Sequence, residues 1–380
     1  VLGAGAVGSM FGALLKRDAP ELDITLIVRG EYGRAIYERQ AVIAEGPWGQ
    51  CSVPLRASLD CADIAGSDII FVTVKSHASE EAARAAKPYW PDATIVSIQN
   101  GINERLLARH ADLRQLVVGM TATNIAIVEP GRVSLQLGGA TIVGPPIGHA
   151  SSQRVDTVTT LLRRIRCKGL HFGSSPNITG MRYNKLAINA LGYASCLSAS
   201  NFISEALCHP AWRKAVALPI IAECRRVFAL TGIPLETIPG VPSLRRIGRL
   251  TRMMSWPVIG GAINFGARRK FDRKPIVFSL RQDLKRGKTT EVEHINGEIV
   301  RLAATVGQSA PMNAEVVRMV HELENRGAGS FFARDEVIRR FERVLAAEDQ
   351  SASGRSDRKF VRPVRKSTAA AKATAEAGRS

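Results

Sequence analysis

The chain has 380 residues, 45% hydrophobic and 23% charged, with 52 Lys and Arg against 34 Asp and Glu for a net charge of +18. That length allows roughly two to three domains with substantial cores, which excludes wholesale disorder, a collagen repeat or a small disulfide scaffold. No uninterrupted apolar stretch approaches the roughly 18–20 residues that a membrane span needs.

The first residues, Val1-Leu2, read as the end of a strand, so a few residues are expected to be missing before them, and no secretory signal is seen. They run into Gly3-Ala4-Gly5-Ala6-Val7-Gly8 and then a helical pattern with Met10, Phe11, Leu14 and Leu15. This strand–turn–helix setting suits a dinucleotide. Gly3 permits the tight turn, Gly5 admits a pyrophosphate to the backbone, and Gly8 lets helix and strand pack closely. The helix N-terminus, with Ala6 and Val7 in its first turn, faces the phosphates. The next strand, Asp23 to Val28, closes with Arg29 about 20 residues on. An acid there would hold the ribose hydroxyls of NAD. An arginine suits a 2′-phosphate and implies NADP, unless it is simply a solvated surface residue.

Apolar runs at Asp68–Val74 and Thr94–Ile98 read as parallel strands covered on both faces. Their carboxyl ends place Lys75 and Asn100 at the crevice where ligands of open α/β sheets bind. Lys75 can meet an anion, and Asn100 can donate and accept near a nicotinamide; either residue could instead cap a helix. Leu116–Met120 and Ala140–Gly144, with a turn at Pro130-Gly131 between them, predict a partly antiparallel extension, followed by a helix over Ser151–Arg166. Strand–helix alternation argues a doubly wound sheet over residues 1–175.

Beyond Ser175 the pattern is helical, over Thr179–Ser198, Ala211–Thr231, Thr290–Thr305 and Asn313–Asn325. Lys185 and Asn189 are four apart and share a helical face amid apolar neighbours. A lysine buried there needs a partner or a task, and burial lowers its pKa towards that of a general acid; the alternative is a snorkelling surface residue. Glu291 opens a later helix, where an acid also suits the helix dipole. The six cysteines show no metal-ligand or redox spacing and read as free thiols of a reducing cytoplasm. No metal site is expected.

Two segments hold most of the charge. Leu244–Lys274, within an insertion at about 235–274, carries a net +8, and Gln350–Ser380 carries +6. The pattern places Ile247, Leu250 and Met254 on one helical face, Arg245, Arg249 and Arg252 on another, and then an apolar run with Trp256 and Phe265. That arrangement suits peripheral contact with an anionic membrane, a lid over the substrate, or an exposed basic helical hairpin. Residues 346–380, rich in Ser, Ala, Lys and Arg, read as a disordered basic tail without a nucleic-acid reader motif, so no specific nucleic acid is expected.

Taken together, the fingerprint, Val74-Lys75, Gln99-Asn100-Gly101, Lys185-Leu186-Ala187-Ile188-Asn189, and Ser279 with Asp283, Glu291 and Ile295-Asn296-Gly297 resemble the ketopantoate reductase (2-dehydropantoate 2-reductase) family over roughly residues 1–345. The resemblance implies a Rossmann-type NADP domain (1–175) and an all-helical catalytic domain (176–345), with the site in the cleft between. It implies Lys185 as general acid and Glu291 as organiser of the centre. Asn100 would hold both nicotinamide and substrate, and Asn189 and Ser279 would bind a 2-oxo acid. It further implies NADPH-dependent reduction to the 2-hydroxy acid in pantothenate biosynthesis, a cytoplasmic location, and a homodimer. The family pattern places a second asparagine four residues after Asn189, where this chain has Tyr193, so one substrate-hydroxyl contact is expected to be missing. Two alternatives stand beside this reading: a larger or lipophilic keto substrate, and an NADP-binding regulatory protein without turnover.

Overall fold

A computed structural model describes residues 1–273, 276 and 278–358, with side chains to residue 350. The N-terminal part is a doubly wound sheet. Strands β1 (Thr25–Ile27), β2 (Ala41–Gly46), β3 (Gly49–Pro54), β4 (Arg56–Ser58), β5 (Ile69–Val72) and β6 (Thr94–Ser97) precede β7 (Leu116–Thr121), β8 (Asn124–Glu129), β9 (Arg132–Leu137), β10 (Ala140–Gly144) and β11 (His171–Ser174). Leu2 bridges Ile27 on one side and Val72 on the other, both parallel. The first strand therefore sits between the β1–β4 pair and the β5–β6–β7–β10–β11 run. Strand order reverses beside Leu2, and a crevice opens at such a switch point. β5 is mostly and β6 wholly buried, because helices cover both faces.

The expected antiparallel extension is present as β7 against β10, Thr121 opposite Thr141. The Pro130-Gly131 turn does not join these two directly. It closes the β8–β9 hairpin, which enters a second sheet of order β3-β2-β9-β8. The β2–β3 hairpin, turning at Pro47-Trp48, is an element that the sequence reading passed over.

The C-terminal part is helical. The Ile178–Cys196 helix runs through its centre, with Tyr183, Leu186 and Leu191 in one core with Trp212, Phe228 and Ile295. The helix expected over 211–231 is interrupted: Pro210–Trp212 leads into a π-helical turn, Arg213–Ala217, before the Leu218–Leu230 helix. The basic insertion forms two helices, Leu244–Met253 and Ile259–Arg273. Leu244, Gly248, Thr251 and Met254 pack inward, whereas Leu250 is 48% exposed and leaves the apolar face expected for it. The last helix, Arg334–Arg358, extends into the expected tail. Val337, Ile338 and Phe341 anchor its start, and a helix once nucleated propagates cheaply. Residues 359–380 of that tail lie outside the described residues. Among the described residues no helix is long and apolar enough to cross a membrane.

Candidate active site

The strand ends build one wall of a cavity of about 790 Å³. Gly3 turns the chain at φ +94°, and a Cβ there would lie 2.7 Å from the Val74 backbone nitrogen. At Gly8 a Cβ would lie 2.4 Å from Thr73 Oγ1, so only glycine lets the Ala6–Asp18 helix approach β5 this closely. Gly5, by contrast, faces open space, and no side chain or acid caps the helix N-terminus it begins. Uncapped N–H groups, a bare backbone and the positive end of a helix dipole suit a pyrophosphate. Arg29 lies at the same cavity and pairs with Glu81 at 2.9 Å, both exposed.

The opposite wall is the lysine helix. Lys185 Nζ donates to Asn100 Oδ1 at 2.8 Å. Asn100 Nδ2 donates to Glu291 Oε2 at 3.2 Å, and the other carboxylate oxygen accepts from the Ser76 N–H at 2.9 Å with the Ser76 hydroxyl at 3.0 Å. Glu291 is 5% exposed and stands at the N-terminus of the Val292–Thr305 helix. Burial lowers the Lys185 ammonium to about 8, against the pull of the Glu291 carboxylate. The group is therefore protonated near neutral pH yet able to release its proton.

Two further contacts cross the cleft. Lys75 Nζ hydrogen-bonds Asp283, whose carboxyl burial pushes up despite the neighbouring ammonium. Arg182 sits one turn before Lys185 and makes a bidentate pair with Glu104 at 2.7 Å to each oxygen, while also donating to the Gly101 carbonyl at 3.1 Å. Burial alone would raise the Glu104 pKa, but Arg182 holds it below its ordinary value. This pair ties the Gln99–Glu104 loop to the lysine helix.

Comparison with known proteins agrees with this architecture. Residues 1–148 match the family described as Ketopantoate reductase PanE/ApbA, and residues 177–324 match its C-terminal counterpart. The chain belongs to the ketopantoate reductase family. A 2-dehydropantoate 2-reductase of Pyrococcus horikoshii is 29% identical over 337 residues, spanning 87% of this chain and 98% of that protein. The fold is that of a ketopantoate reductase from Ralstonia eutropha, 24% identical with a TM-score of 0.65 over 86% of this chain and 97% of that one. It is also that of a D-mandelate dehydrogenase solved with NADH and anilino(oxo)acetate, 20% identical with a TM-score of 0.67 over 86% and 97%.

The residues expected in the cleft all line this cavity, apart from Gly8, which acts through packing. Lys185, Asn100 and Glu291 join in one hydrogen-bonded chain, with Asn100 as the link between the other two. Asn189 lines the cavity one helical turn after Lys185. Ser279 Oγ lies 3.2 Å from the Tyr193 hydroxyl, so the residue that departs from the family pattern is hydrogen-bonded within the cavity lining. Tyr193 is also edge-on to Phe278, and its burial pushes the phenol well above its usual pKa.

The sequence reading missed Ser76, Arg182 and Glu104. Ser76 directly follows the strand-end lysine, a position where a backbone N–H outside the strand ladder invites a carboxylate. Arg182 carried one signal, a charged residue inside a helix otherwise apolar enough to be buried, whereas Glu104, flanked by Asn103 and Arg105, carried none.

Proposed function

We propose that this chain reduces a 2-oxo acid of the ketopantoate type to the 2-hydroxy acid with NADPH. The supporting observation is the Lys185–Asn100–Glu291 chain facing a cavity that also holds the glycine fingerprint. Gly3, Gly5, Ala6 and Val7 would hold the pyrophosphate, with Gly8 packing their helix onto the sheet, Arg29 would hold the 2′-phosphate, and Lys75 and Asn100 the region towards the nicotinamide. The chain then divides near residue 175 into a cofactor-binding and a catalytic domain, with a cytoplasmic setting and a homodimer as further expectations.

When bound, the reduced cofactor supplies a hydride to the carbonyl carbon. Lys185, held by Asn100, donates a hydrogen bond to the carbonyl oxygen, stabilises the charge that develops there and gives up its proton. Its pKa near 8 matches that task, because a general acid works best when poised near the operating pH. Glu291 fixes the Asn100 amide so that Oδ1 faces the lysine. Asn189 and Ser279 would take the substrate's carboxylate and remaining polar groups.

Tyr193 and Phe278 favour a second reading of the substrate, one with a larger or apolar side chain, since two aromatic rings stand at this end of the cavity. NADPH oxidation should be followed with ketopantoate and with 2-oxo acids bearing branched and aromatic chains, with NADH in parallel. Turnover of ketopantoate supports the first reading, and turnover only of bulkier acids the second. Tight NADPH binding with no turnover of any acid would favour a regulatory NADP-binding protein.

A further inference from the structure

The hairpin made by the Leu244–Met253 and Ile259–Arg273 helices combines two features that folded surfaces usually avoid. Its corner is apolar and exposed: Trp256 is 54% accessible, Val258 86% and Ile259 47%, and Phe265, on the outward side of the second helix, is 70%. Scattered surface apolar residues are ordinary, but four large ones close together in sequence mark a surface that something covers. Along the two helices that flank them, Arg245, Arg246, Arg249, Arg252, Arg268, Arg269, Lys270 and Arg273 are all exposed.

The corner is tied to the body of the helical part. Arg213, buried, donates from one guanidinium to the Met254 carbonyl at 2.8 Å, the Leu207 carbonyl at 2.7 Å and Ser255 Oγ at 2.9 Å. Asn264 Nδ2 donates to the same Met254 carbonyl at 3.2 Å, and Asn201 Nδ2 donates to the Phe271 carbonyl at 3.0 Å. The segments on either side of the apolar residues are thus hydrogen-bonded to the rest of the molecule. Among the described residues, none from 244 to 273 lines the cleft cavity.

We propose that this hairpin docks the protein on an anionic phospholipid surface, with Trp256, Val258, Ile259 and Phe265 seated among the headgroups and the surrounding arginines on the lipid phosphates. Aromatic and aliphatic residues next to Arg and Lys are the composition that lies at a bilayer interface. A second copy of the chain fits less well. A two-fold contact through this corner would bring like-charged hairpins together, at a cost that the small apolar corner must overcome. The proposal is independent of the reaction assigned to the cleft.

The test uses the full chain with vesicles of phosphatidylcholine alone and vesicles rich in phosphatidylglycerol, at low and high salt. The expected result is binding at least about tenfold tighter to the anionic vesicles, weakened by salt. A Trp256→Ser, Phe265→Ser double variant should lose most of that binding while keeping its thermal unfolding midpoint and its affinity for NADPH. Equal and negligible binding to both vesicle types overturns the proposal. Unchanged binding by the double variant overturns it too, because the basic tail or another surface would then carry the attraction. So does a stable dimer in which Trp256 becomes shielded from quenchers.

Discussion

The cleft wall and the basic hairpin treat charge in opposite ways. In the wall, Arg182 and Glu104 have side chains only 2% and 6% exposed, matched oxygen for nitrogen, while Lys185 and Glu291 are joined through Asn100. In the hairpin, eight described cations stand in solvent along the two helices that flank an apolar corner. A buried charge must be paired or it costs several kcal/mol, so the wall has essentially one arrangement of its side chains. An exposed cation costs almost nothing unpaired, so the hairpin's charges are free to meet something outside the protein. The wall therefore holds atoms in place for chemistry, and the hairpin offers a surface.

Substitutions in the two regions should differ accordingly. Lys185→Ala should lower turnover by about 10²–10⁴-fold while NADPH binding persists, which steady-state rates and cofactor titration will separate. Turnover within a few-fold of the parent would move the proton donor elsewhere. Next comes Arg182→Leu, which leaves the Glu104 carboxylate buried and alone and should cost about 3–5 kcal/mol in denaturant unfolding. Adding Glu104→Leu should recover much of that stability, since two apolar residues leave no orphaned charge. If the double variant keeps its stability but loses turnover, the pair serves geometry more than stability.

These contacts also show what could be read from the chain beforehand. The glycine fingerprint, the strand-end Lys75 and Asn100, and the four-residue step from Lys185 to Asn189 are local patterns, and all but Gly8 of these residues line the cavity. The Arg182–Glu104 and Ser76–Glu291 contacts join residues 78 and 215 positions apart, and no periodicity within one segment reports such a pair. The β2–β3 hairpin was overlooked for a different reason. Its strands are only partly buried, and β3 is exposed at most positions, so the apolar alternation that marks a strand is weak there. In the insertion, helical spacing grouped Leu250 with Ile247 and Met254 on one face, yet Gly248 and Thr251 join Met254 on the buried side, because a close approach to the Leu218–Leu230 helix selects small residues at the contact.

Effects at the cavity mouth should be smaller than those in the wall. Arg29→Asp removes a cation from the expected 2′-phosphate position and adds a carboxylate beside Glu81, and should weaken NADPH binding by about 2–4 kcal/mol relative to NADH. Parallel titrations with both cofactors check this, and an unchanged ratio would release Arg29 from that role. Smallest of all, Arg249→Gln with Arg269→Gln should alter unfolding free energy by no more than about 0.5 kcal/mol and leave turnover intact, because both side chains are solvated. A large loss of stability there would mean the hairpin's cations are structural.

The most direct test of the account is the pH dependence of kcat/KM for the best substrate. Lys185 must be protonated to act, and its ammonium is lowered to about 8 by burial, so the rate should fall as pH rises through about 8. In Lys185→Arg, whose guanidinium stays charged, that alkaline limb should vanish from the residual activity. A parent profile that stays level well above pH 8, or a limb that persists unchanged in Lys185→Arg, would contradict the assignment of Lys185 as the proton donor.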